Sequence, residues 1–243
     1  MDQTQALLYS DWELEAIVAN INTERDDDFS LAVDRIQQGQ SEEARVWLET
    51  EISRFPWVLL AAAYTRINAG DPETALRYLR AVTILANDSL VQLWAWHSIR
   101  KLGKQPSASV ASQVLGIVIE VPNEGLADVL ASYADGTARY INHQGGVILW
   151  EDYDNSITPL IYDGIQMANP VGELRNQHET DPVPEGQVRL TVLTPGGMHV
   201  WQGSPTVGSD EAKLFAQQAN LLRMLVRMAL EKRGENSGEA TSG

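Results

Sequence analysis

The hydrophobic period of the chain changes at residue 114, and that change limits the folds open to it. Before Val114 apolar residues recur at helical spacing, and no stretch alternates as a strand does. After it come short runs rich in Val, Ile and Thr, separated by glycine turns. A chain that is helical first and β-rich afterwards belongs to the α+β class. Its 243 residues suffice for one large domain or two small ones. We expect a helical module over residues 1–106 and an α+β domain over 107–233, joined around "GKQPSAS". The last ten residues, 234–243, "GENSGEATSG", read as a disordered tail.

The helical half opens with "SDWELEAIVANI". Ser10 and, three residues on, Glu13 form a capping-box pattern. Trp12, Ile17, Val18 and Ile21 then share one helical face. "DDDFSLAVDRIQQGQ" puts acids at the start of a second helix, with Phe29, Ala32, Val33 and Ile36 as its apolar set. A periodicity follows. Gly39, Gly70 and Gly103 stand 31 and 33 residues apart, and each precedes an alanine by five: Ala44, Ala75 and Ala108. Leu48 and Leu79 follow the first two alanines by one turn. Glycine can end a helix in the left-handed conformation. The small alanine then lets the next helix pack closely, and the leucine, with Trp47 or Tyr78 beside it, fills the groove.

This small–large pair on a second helix, with a proline near its end as at Pro56, resembles a tetratricopeptide-type repeat over about residues 25–113. The spacings fall short of the usual ~34. "WVLLAAAYTRI" only approximates the first-helix signature, and Ser112 stands where a third leucine belongs. The resemblance implies stacked helical hairpins that bind protein. The alternative is a small helical-hairpin bundle that caps the following domain.

In the second half "VLGIVIEVP" reads as a buried strand. Turns at Asp135-Gly136 and Gly145-Gly146 join the next strands, and Pro195-Gly196-Gly197 closes a later hairpin around Val188, Leu190 and Val192. "ITPLIYDGIQMA" is predicted to be a short covering helix. Phe215, Ala219, Leu222, Val226 and Ala229 line one face of a long C-terminal helix. The order is four strands, helix, two strands, long helix: an antiparallel sheet covered by helices. In outline it resembles small sensor and adaptor folds of the profilin or PAS type.

Within "ASYADGTARYINHQGGVILWEDYD" a histidine and three carboxylates suggest chemistry. His143 should lie at one strand end and Glu151, Asp152 and Asp154 at the far end of the next, roughly 15 Å away. We therefore expect three strands at the centre of the sheet and no metal site. His199 also borders a glycine turn, and whether it meets His143 is left open by the sequence. No hydrolase elbow, zincin helix, phosphate loop or dinucleotide fingerprint is present, and cysteine is absent. No catalytic, cofactor-binding or metal-binding residue is assigned, no cofactor is expected, and the chain is not read as an enzyme.

The net charge of −15 is concentrated early, with thirteen Asp/Glu against four Arg in residues 1–60. Nucleic acid is thereby disfavoured, and a protein partner with a basic surface fits better. The start has no signal-peptide pattern and no run approaches the ~20 apolar residues that span a bilayer. No membrane partner is expected, and the chain reads as soluble and cytoplasmic. Trp94 and Trp96, two apart in "LVQLWAWHSIR", cannot share a helix face. With His97 they are expected at the junction of the two halves, and with His199 and Trp201 they form the candidate interaction surface. The functional expectation is a non-enzymatic adaptor, suited to a bacterial multi-protein or regulatory system. The alternative is a small-ligand sensing domain coupled to a helical module.

Overall fold

The computed structural model describes residues 8–20, 28–50, 55–151, 156–170 and 172–239. Ile21, Asp152 and Asp154 lie outside the described residues, as do the side chains of Phe29 and Trp47. By their contacts the residues form two units: Tyr9–Gln113 with Pro195–Gly197, and Met1–Leu8 with Val114–Thr194 and Met198–Gly243.

The helical unit comprises α1 (Leu14–Ala19), α2 (Asp28–Gln37), α3 (Ser41–Thr50), α4 (Pro56–Asn68), α5 (Pro72–Leu85), α6 (Ser89–Lys101) and the single turn α7 (Ala108–Ala111). Pro56 and Pro72 occupy first turns, where the missing N–H has no partner to lose. Asp71 accepts from the Thr74 amide to cap α5, and Asp88 accepts from Leu90 and Val91 to cap α6. Gly39, Gly70 and Gly103 all take left-handed φ, at +80°, +76° and +76°. Behind each, the same pair of bonds closes the helix. Gly70 donates to Ile67 and Asp71 to Arg66, as Gly103 donates to Arg100 and Lys104 to Ile99. Ala44, Ala75, Leu48 and Leu79 are all fully buried. The third copy stops short, because α7 is four residues long and buries none of them.

One local expectation fails here. Glu13, not Ser10, occupies the cap position of α1, and its side chain makes no capping bond. Glu13 is held instead by Lys101, whose Nζ lies 2.6 Å from both carboxylate oxygens. A tertiary ion pair has outcompeted the local cap.

The second unit is a seven-stranded antiparallel sheet in the order β4-β3-β2-β1-β6-β7-β5. The strands are β1 (Gly116–Asn123), β2 (Leu126–Tyr133), β3 (Ala138–Ile141), β4 (Val147–Trp150), β5 (Glu173–Arg175), β6 (Val188–Thr194) and β7 (Gly197–Gly203). Two helices, α8 (Thr158–Met167) and α9 (Asp210–Glu239), cover one face. Beneath them Leu130, Ala138 and Trp150 meet Ile157, Ile161, Leu221 and Leu225, while Ile117, Leu190 and Val192 meet Ala168 and Leu214. Val118, Val129, Ala131 and Tyr133 on the opposite face are buried too, and the Tyr133 hydroxyl donates to the Leu8 carbonyl at 2.9 Å. The fold is therefore α+β.

Three details depart from expectation. The sheet is centred on β1, and β2, β3 and β4 run out from it to an edge. A seventh strand, β5, lies in the polar connector; three residues pairing only with β7 leave no alternation to read. The final helix continues to Glu239, so residues 234–239 are helical and not a disordered tail. Gly234 costs helix stability, about 1 kcal/mol, but ends a helix only when it turns left-handed.

Candidate functional site

The inner face of the helical unit is built from the first helices of its hairpins, and a chain segment lies across it. Trp94 of α6 is 6% exposed and donates its indole N–H to the Tyr9 carbonyl at 3.0 Å. Trp12 stacks on the Trp94 ring with centroids 6.3 Å apart, and Trp57 of α4 meets it tilted at 6.1 Å. Lys101 takes Glu13, as above. On α2, Gln37 donates its amide to the carbonyls of Val18 and Ala19, the open end of α1. Leu14, Ile17 and Val18 are buried at 6%, 3% and 0% exposure. Residues 9–19 thus touch α2, α4 and α6 through stacking, an ion pair, apolar contacts and backbone carbonyls. At the end of α1 a cleft of about 270 Å³ opens between Glu15, Ala19, Ile36, Gln37 and Tyr64.

Polar groups beside this segment are incompletely matched. His97 is 5% exposed, its Nε2 makes no hydrogen bond among the described residues, and Glu13 Oε1 is 3.9 Å away. Burial, and then the charge of Arg100, hold His97 below its ordinary value of 6.5 against the pull of Glu13 and Asp11. Burial also lowers Arg100 to about 10, so it stays charged at neutral pH while donating to the Pro195 carbonyl. The Ser10 hydroxyl is likewise buried without a hydrogen bond among the described residues.

The residues singled out by sequence separate. Trp94 and His97 belong to the interior of the helical unit, and Trp96 beside them is half-buried. In the intact chain Trp94 is covered by the segment that carries Tyr9 and Trp12. His199 and Trp201 lie on β7, half-buried, with Trp201 against the cluster of Ile117, Leu190 and Val192. Burial lowers the pKa of His199. His143 and His199 do not converge: β3 and β7 are four strand spacings apart, roughly 19 Å. The residue that sequence reading overlooked is Tyr9, which buries its side chain fully and accepts at its carbonyl from Trp94.

His143 has partners, though not Glu151. The β3–β4 register pairs Ile141 with Val147 and Ala138 with Trp150, which puts His143 and Glu151 at opposite ends. Asp128 accepts from the His143 backbone amide at 2.7 Å and from its Nδ1 at 2.9 Å, and from Asn123 Nδ2 at 3.0 Å. Burial opposes ionisation of Asp128, but the bonds from His143 and Asn123 outweigh it and hold the carboxyl below its usual range. This carboxylate ties the β1–β2 turn to the β3–β4 turn. Nearer the centre, Arg189 and Glu120 form an ion pair at 3.0 Å, with side chains 2% and 5% exposed. Arg189 also reaches Gln202 and the carbonyls of Glu179 and Asp181, pinning the connector before β6. Both clusters join segments of the sheet unit.

Among the described residues no group of three or more His, Asp or Glu side chains is placed to hold a metal ion, and no helix is long and apolar enough to cross a membrane. Comparison with family models, with curated proteins and with solved structures gave no match.

Proposed function

We propose that the helical unit is a protein-interaction module and the chain an adaptor without catalytic activity, working in the cytoplasm within a bacterial multi-protein or regulatory system. The observation that carries this is the face made by α2, α4 and α6, on which a polypeptide segment is already held by groups a peptide ligand would use. The identical glycine closures at Gly39, Gly70 and Gly103 support a tetratricopeptide-like reading, since they set successive hairpins in the same sense. The outer helix α3 exposes Glu42 and Glu43, which suits a partner with a basic surface.

Affinity capture with the full chain tests the proposal. A stoichiometric protein partner is expected, with slower association for Glu42→Lys/Glu43→Lys. A metabolite that raises the melting temperature, with no stoichiometric partner captured, would favour the small-ligand sensing alternative instead.

A further inference from the structure

Residues 9–19 behave as a ligand of the helical unit more than as one of its repeats. α1 has six residues, well below the ~12–15 at which an isolated helix becomes marginal, and it lacks a side-chain cap. Its order must come from the surface beneath it. The contacts that hold it are remote in sequence, 85 residues apart for Tyr9 and Trp94 and 88 for Glu13 and Lys101. None depends on covalent connection to α2. The indole N–H of Trp94 and the amide of Gln37 both read backbone carbonyls, the way a groove reads an extended or helical peptide in general. Lys101 and the Trp12 stack then add sequence preference.

We propose, resting on the adaptor reading above, that Tyr9–Ala19 is a ligand carried in cis and that the partner of the inner face is a protein segment of the same chemistry. That chemistry is an aromatic residue and a carboxylate placed just ahead of a short apolar helix, as in "YSDWELEAIVA". The partner segment takes the Lys101 and Trp94 contacts as the cis segment leaves. A basic peptide is disfavoured on this face by Lys101 and Arg100, while the exposed acids of α3, Glu42 beside Arg45 and Glu43 near Arg35, lie away from it.

The test uses the full chain with a protease site placed between Asn20 and Asp28. After cleavage of the folded protein, a labelled peptide of residues 9–20 should exchange into the face with saturable one-to-one binding. The same peptide carrying Trp12→Ala should bind about tenfold more weakly, the loss of one stacked ring. Glu13→Lys should weaken it by about threefold to fivefold, an exposed ion pair's share. If cleavage unfolds the protein, the uncleaved chain carrying Trp12→Ala in its own segment serves instead, and should bind the wild-type peptide more tightly than the wild-type chain does. No binding to either folded form, or equal binding to both uncleaved chains, overturns the inference. A captured partner that never competes with the peptide also overturns it, while leaving the adaptor reading in place.

Discussion

Arg189 in the sheet unit and His97 in the helical unit are both deeply buried, at 2% and 5% exposure, yet their surroundings differ. Arg189 meets a carboxylate, a side-chain amide and two carbonyls. Among the described residues His97 Nε2 makes no hydrogen bond and has a carboxylate at 3.9 Å. The sheet unit brings together segments distant in sequence, and its central ion pair is matched because an unmatched charge costs several kcal/mol, although Arg139 Nε is buried there without a hydrogen bond among the described residues. Gln218 qualifies that rule. Its Oε1 accepts from Ser132 at 3.1 Å, but its Nε2 faces Gly164 without a hydrogen bond among the described residues. In the helical unit the Ser10 hydroxyl, His97 Nε2 and the Nε and Nη2 of Arg100 are buried without a hydrogen bond among the described residues, the first two at the border with residues 9–19. A seam with unspent bonding capacity is where a segment can leave and another arrive.

Arg189→Met strands Glu120 in the interior and should destabilise the sheet unit by about 3–5 kcal/mol, read from denaturant unfolding followed by amide exchange. Adding Glu120→Leu should recover part of that loss; no recovery would mean the pair acts through the connector alone. In the helical unit, Gly70→Ala should cost about 1–2 kcal/mol. A Cβ at Gly70 meets nothing within 4 Å, so the penalty is purely that of φ +76°. At Gly164 the reverse holds: the backbone is helical, but a Cβ would run into the Gln218 amide.

Trp94→Phe keeps a ring in the cluster but removes the bond to Tyr9, and should cost about 1 kcal/mol. The loss should appear as faster exchange in residues 9–19 before it appears in α4 or α5. The pH dependence is gentler and has two windows. His97 is harder to protonate folded than unfolded, so the helical unit is fully stable above the ordinary value of 6.5 and weakens as pH falls below it. Asp128 is easier to ionise folded, so its contribution is present above the ordinary carboxylate value of 3.8 and is lost as pH falls through the folded one. Melting temperature against pH, with His97→Gln and Asp128→Asn as controls, separates them. Smallest of all, Leu149→Lys on the edge strand β4, where Leu149 is 61% exposed, should shift stability by no more than about 0.5 kcal/mol.

The legible parts of the fold were those written locally. Gly39, Gly70 and Gly103 announce helix ends because only glycine takes the left-handed turn without strain, and the alternation of Val188, Leu190 and Val192 announces a strand, although both its faces are buried. What stayed hidden was set by partners far away in sequence. Ser10 and Glu13 read as a capping box until Lys101 claimed the Glu13 side chain, and Trp94 was assigned to an interaction surface because its neighbour Trp96 obscured which side was covered. β5 is stabilised by β7 alone, and "ELR" carries no pattern of its own. The candidate site was half legible: Trp94 and His97 were singled out, while the segment they hold was read as an ordinary first helix.

Amide hydrogen exchange across residues 9–19 in the intact chain decides whether the segment is held as a separable ligand. These amides should open together at a lower free energy than those of α2, α4 and α6, leaving the helices beneath protected. Exchange of the segment and the three helices as one cooperative unit, with the same opening free energy, would contradict it.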